Sequence, residues 1–211
     1  MLRTKSILLA LLGMASALSA RAQVVTPISY DMPNGQGVAS GGNFNYWDLN
    51  YNGTGNTSVD SAPLAGGRGD LTDGVVATDN WFNVENLAGT GPYVGWRDVN
   101  PTITFHFSQE LSLNAMFIDA DDSDGAGGVS YPLAIVVNGG SPIPLSDPAG
   151  SAPHRIVINL GGINADGLAV QLLRRNTWVF ASEFSFWGVP EPSSAALLGL
   201  ASVALLCRRK R

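Results

Sequence analysis

Four carboxylates, Asp119, Asp121, Asp122 and Asp124, fall within the run Asp-Ala-Asp-Asp-Ser-Asp-Gly and form the densest set of hard oxygen ligands in the chain. Calcium takes several carboxylate and carbonyl oxygens from a flexible loop. The EF-hand frame nevertheless fails. With Asp119 at position 1, Asp121 fits position 3 and Ser123 position 5, but Gly125 falls at position 7 instead of 6 and Ser130 stands where a bidentate Glu belongs. The segment reads either as a hard-cation site of another geometry or as a solvated acidic turn between two strands. A lone acid, Glu183, interrupts the aromatic run Phe180, Phe184 and Phe186. A buried carboxylate is costly without a partner, so Glu183 calls for a cation, an arginine or an exposed edge.

The second kind of chemistry is stacking. Trp81, Tyr93 and Trp96, followed by Arg97, cluster in a segment rich in Asn, Gly and Asp. Sugars lay their C–H faces on aromatic rings and give their hydroxyls to neighbouring polar groups, which makes these four the candidate ligand-binding residues. Tyr46, Trp47 and Tyr51 form another candidate patch. The competing reading is that the rings cap a core, because Trp is highly buried on average. Catalysis has little support. There is no Gly-x-Ser-x-Gly elbow, no His-x-x-x-His spacing and no nucleophilic Cys outside the C-terminal segment, where Cys207 is the single cysteine. Paired carboxylates for glycoside hydrolysis depend on a separation that spacing does not give.

The elements that must position these groups are strands. Thr102 to Phe107 alternates, with Ile103, Phe105 and Phe107 on one face and His106 on the other. Further strands are expected at Val24 to Tyr30, Leu111 to Ala120, Tyr131 to Val137, His154 to Leu160 (ending at Gly161-Gly162), Leu168 to Leu173 and Trp178 to Trp187. No amphipathic helix is evident between residues 23 and 188, so the expectation is an all-β sandwich.

Three motifs carry a family resemblance. Asp70-Leu-Thr-Asp73-Gly74 lies early, the strand Ile103-Thr-Phe105-His-Phe107 lies centrally, and Ser182-Glu183-Phe184-Ser-Phe186-Trp187-Gly188 closes the domain. Together they resemble the galactose-binding-like, discoidin-type jelly roll found in many carbohydrate-binding modules, over roughly residues 38–188. That resemblance implies a carbohydrate ligand. It also implies a structural calcium where the early Asp-Gly loop meets the last strand, at Asp70, Asp73 and Glu183. The Gly-rich stretch before Asp70 departs from the pattern.

The two ends read as addresses. Arg3 and Lys5 precede an apolar run to Leu18 and the small-x-small Ala20-Arg21-Ala22, a signal peptide (residues 1–22) with cleavage expected before Gln23. Residues 189–211 contain Pro190-Glu191-Pro192, an apolar run Ser193 to Cys207, and Arg208-Arg209-Lys210-Arg211. As a helix this run spans about 22 Å, short of a hydrocarbon core of about 30 Å, but snorkelling flanks allow insertion. The basic end would stay cytoplasmic. This tail resembles the PEP-CTERM protein-sorting signal. The resemblance implies processing by an exosortase near Pro190, Glu191 and Pro192, with a permanent membrane anchor as the alternative.

Charge follows the same division. Residues 23–188 hold sixteen acids and five arginines, a net of −11, while the remaining basic residues sit at the ends. An acidic body argues against nucleic acid. The expectation is an exported, non-catalytic envelope or extracellular-matrix protein that binds carbohydrate or exopolysaccharide. A purely structural matrix protein is the alternative, and a polysaccharide-degrading enzyme a more distant one.

Overall fold

The alternation around Ile103, Phe105 and Phe107 becomes part of a strand far longer than the pattern suggests. The computed structural model describes residues 22–39 and 41–190. The strands are β1 (Gln23–Val25), β2 (Ser29–Pro33), β3 (Pro63–Gly67), β4 (Val94–Arg97), β5 (Thr102–Asp122), β6 (Ala134–Val137), β7 (Ile143–Pro144), β8 (Ala152–Leu173) and β9 (Trp178–Pro190). The expected strands at 102–107 and 111–120 are one strand, β5, and those at 154–160 and 168–173 are one strand, β8. Gly161 and Gly162 do not end β8. Both have positive φ (64° and 80°), and the pairing with β5 shifts register between Leu113 and Ala115, so the glycines form a bulge that bends the strand. The Val24 to Tyr30 expectation divides into β1 and β2.

These bends let long strands serve both layers of the sandwich. The first half of β5 pairs with β2, and its second half pairs with β9. β9 pairs with β4 through Ala181 and with β1 and β5 beyond it. The two layers meet at phenylalanine. Phe105 sits 4.9 Å, centroid to centroid, from both Phe184 and Phe186, and all three are buried. Truncating a core Phe to Ala costs about 3–5 kcal/mol, so these contacts are a major part of what holds the layers together. His106 faces away from this core, with Nε2 2.9 Å from Asp31 Oδ2 on β2.

Among the described residues the only α-helix is the single turn Trp81–Val84, and no helix is long and apolar enough to cross a membrane. The expected signal peptide (all but Ala22), the apolar run 193–207, Glu191 and Pro192 lie outside the described residues. Pro190 ends β9 in extended backbone opposite Leu111, a strand terminus where its missing N–H costs no ladder bond.

Candidate functional site

The early Asp-Gly loop does meet the last strand. A 3-10 turn, Asp70–Thr72, leads to Asp73 and Gly74, and the Gly74 N–H donates to Glu183 Oε2 at 3.1 Å. Three residues on, the Ala77 N–H donates to Ser182 Oγ at 3.2 Å. Asp73 is exposed and its Oδ1 accepts from the Val75 N–H at 2.8 Å, an Asx turn that shapes the loop.

Asp70 of the motif is half of a buried acidic pair, whose other member, Asp48, the motif reading missed. Asp48 is fully buried, accepts from the Tyr30 hydroxyl, and accepts the Asp70 N–H at 3.1 Å. A Cβ at Gly69 would stand 2.2 Å from Asp48 Oδ1, so this approach needs glycine. Asp70 Oδ1 accepts from Asn50 Nδ2 at 2.7 Å, while its Oδ2 is buried without a partner. Burial first, and Asp48 second, push the Asp70 carboxyl up to about 7. Glu183 is pushed up to about 8 by burial and then by Asp73 and Asp119, against the opposing pull of the Gly74 N–H and Arg155.

Register explains the crowding at Glu183. β5 places Asp119 directly opposite Glu183 on β9 and Arg155 on β8. Like charges opposite one another across strands repel. The Arg155 guanidinium grips Asp119 through two hydrogen bonds of 2.9 Å and relieves that repulsion.

The other carboxylates of the 119–124 run are not a loop. Asp119, Asp121 and Asp122 lie inside β5 and are buried, which corrects both the solvated-turn and the flexible-loop readings. Asp121 accepts from Asn80 Nδ2 (3.0 Å), Ser123 Oγ (2.6 Å) and the Trp81 N–H (2.5 Å), so it anchors the 80–81 corner. Asp122 Oδ1 takes the Asp124 and Tyr131 N–H groups, and Asp124 is exposed. Among the described residues no three Asp, Glu, His or Cys side chains group closely enough to hold a metal ion.

The aromatic candidates turn inward. Trp81, Tyr93 and Trp96 are 7%, 1% and 1% exposed, so none offers a ring face to a ligand. Trp81 and Tyr93 belong to a secondary core with Tyr46, Trp178 and Phe180, and Trp96 belongs to the main core. The Trp96 indole donates to the Pro33 carbonyl at 2.7 Å and the Tyr93 hydroxyl to the Asp79 carbonyl at 3.0 Å, which satisfies their polar atoms. Arg97 is exposed and pairs with Asp98 at 3.3 Å. Tyr46 and Tyr51 are buried too.

The concave surface beside the loop is lined by polar side chains. Asn50, Asn52, Arg68, Thr72 and Asp73 line a groove beside the loop. It adjoins a second, larger concavity of about 480 Å³ that shares Arg68, Thr72 and Asp73 and reaches Arg155, Glu183 and Ser185. Arg68 is exposed and takes part in none of the ion pairs among the described residues. The signal for this site was present in Asn50-Tyr-Asn52-Gly, which reads more simply as a turn.

Residues 27–122 match the discoidin domain-containing receptor 1/2, DS-like domain, and residues 188–211 match the PEP-CTERM protein-sorting motif, which indicates export and association with the cell envelope. No curated protein matches the chain. Among solved structures, the family 32 carbohydrate-binding module of C. perfringens NanJ in complex with galactose is similar at 7% identity and a TM-score of 0.32, over 45% of this chain and 75% of that one. A fucose-binding module of Streptococcus pneumoniae is similar at 14% identity and a TM-score of 0.37, over 68% and 96%. A fucolectin from striped bass (Morone saxatilis) serum is similar at 10% identity and a TM-score of 0.39, over 80% and 76%. The chain carries a discoidin-like β-sandwich domain and, at residues 188–211, a PEP-CTERM protein-sorting motif.

Proposed function

We propose that the protein is a non-catalytic glycan-binding component of the cell envelope or extracellular matrix, sorted by an exosortase-type enzyme acting near Pro190, Glu191 and Pro192. The apolar run 193–207 holds it at the membrane until that step. The observation that carries the glycan reading is Arg68: an exposed guanidinium, free of carboxylate partners among the described residues, in a groove with Asn50, Asn52, Thr72 and Asp73. Sugar hydroxyls donate and accept at once, and this set supplies guanidinium donors, carboxamides that do both, and a carboxylate acceptor. The test is a glycan array probed with the full-length protein, followed by titration with galactose and fucose. Arg68→Ala is expected to weaken binding at least tenfold with unchanged thermal unfolding. A blank array, or binding unaffected by Arg68→Ala, overturns the reading.

A structural calcium at the junction of the Asp-Gly loop with β9 belongs to the same proposal. Its support is the unpartnered buried oxygen of Asp70 and the raised carboxyl of Glu183, both of which a hard cation would relieve. Asp70, Asp73 and Glu183, which do not stand close enough together to hold an ion as they are placed here, would have to draw in around it as side-chain ligands, and its contribution would be to pin the loop that forms the groove wall. The alternative set Asp119, Asp121, Asp122 and Asp124 is less suited, because Asp119 and Asp121 are engaged on both oxygens by protein donors.

A further inference from the structure

The outer face of the sheet, remote from the Phe105 core, carries side chains that the groove does not use. Trp187 on β9 is 43% exposed, and its register partner Val24 on β1 is 59% exposed. Phe117 on β5 is half-buried and faces Val157 on β8, which is 62% exposed. Phe117 also stands opposite Ser185, two residues before Trp187, so the two rings are diagonal neighbours on one face. The Arg155 guanidinium carbon lies 5.9 Å from the Phe117 ring centroid, and its bond to Asp119 holds that plane in place. The four adjacent strands span roughly 14 Å at about 4.8 Å per strand. One end of this platform opens into the concavity shared by Arg68, Asp73, Arg155 and Ser185.

We infer that this face is a second glycan subsite, continuous with the groove, over which an uncharged linear polysaccharide lies with one sugar stacked on Trp187 and another near Phe117 and Arg155; the inference rests on the glycan reading above. The chemistry favours this occupant over others. Apolar side chains here alternate with Ser185, Asn159 and the Arg155–Asp119 pair, which suits a sugar chain that shows C–H faces and hydroxyls by turns. A protein interface would want a continuous apolar centre. A body of net charge −11 also repels a second copy of itself and an anionic bilayer.

The experiment is electrophoresis of the full-length protein in native gels containing galactan, xyloglucan or dextran, alongside monosaccharide titration. At least one polysaccharide is expected to retard the protein. Trp187→Ala should weaken that retardation tenfold or more, Trp187→Tyr should restore most of it, and monosaccharide binding in the groove should be unchanged. The tyrosine variant and a thermal unfolding curve separate a lost platform from a damaged fold. Retardation that survives Trp187→Ala but not Arg68→Ala overturns the subsite and leaves the groove standing. Monosaccharide binding without retardation by any polymer does the same. No binding of any sugar overturns both. A dimer, or binding to anionic phosphatidylserine vesicles, that disappears in Trp187→Ala assigns the face to another occupant and also overturns the inference.

Discussion

Glu85 offers a direct test of how this acidic domain manages its buried charge. Its Oε1 accepts the Tyr93 N–H at 2.8 Å, its Oε2 has no partner, and it is 7% exposed. A Cβ at Gly91 would stand 2.3 Å from the carboxylate, so any side chain at that position would have to push the Glu85 carboxylate aside. Burial first, then Asp70 and Asp121, raise it from an ordinary 4.5 to about 8. Between those values the folded chain holds a proton that the unfolded chain has lost. The stabilisation is therefore fully present below pH 4.5, falls as pH rises and is gone above pH 8. One such group changes stability by at most about 1.4 kcal/mol per pH unit, so the interval from pH 5.5 to 7.5 removes about 2–3 kcal/mol. Glu85→Gln keeps the shape and the acceptor for Tyr93 but has no charge to bury. Urea unfolding followed by tryptophan fluorescence at pH 5.5, 6.5 and 7.5 should show a flatter stability profile for the variant and a more stable variant at pH 7.5. Asp70 and Glu183 titrate in the same direction in both proteins, so the difference reports Glu85 together with its coupling to Asp70 and Asp121. Parallel profiles, or a variant less stable than the parent at pH 7.5, would refute the reasoning.

Two further outcomes are expected. If calcium sits at the Asp-Gly loop, millimolar calcium after chelation should raise the thermal midpoint by mass action, and both Asp73→Ala and Glu183→Ala should abolish the rise; a midpoint indifferent to chelator in the parent protein excludes the ion. Trp96→Ala removes a 1%-exposed ring from the main core and its bond to Pro33, so unfolding measurements should show a loss of about 3–5 kcal/mol. A variant that folds normally and loses only sugar binding would restore Trp96 to the ligand surface.

The strands were legible because alternation over Ile103, Phe105 and Phe107, or over Ile156, Ile158 and Leu160, reports a half-buried pleat whatever lies around it. The meeting of Asp73-Gly74 with Glu183 was legible through family motifs, and the structure joins them at 3.1 Å. The continuity of β5 and β8 was not legible, because Gly161-Gly162 marks a turn and a bulge with the same residues, and only pairing with β5 decides between them. The orientation of Trp81, Tyr93 and Trp96 was hidden for a related reason: a ring beside Asn and Gly looks alike whether a second layer covers it or not. Asp121 looked like a cation ligand, but the N–H of Trp81 and the amide of Asn80, some forty residues away in sequence, claim its oxygens. Composition and periodicity by themselves determined an acidic all-β domain, since those properties are local to each stretch of chain. Which faces of that domain stay open to a ligand was decided by tertiary structure alone, because burial depends on partners drawn from distant strands.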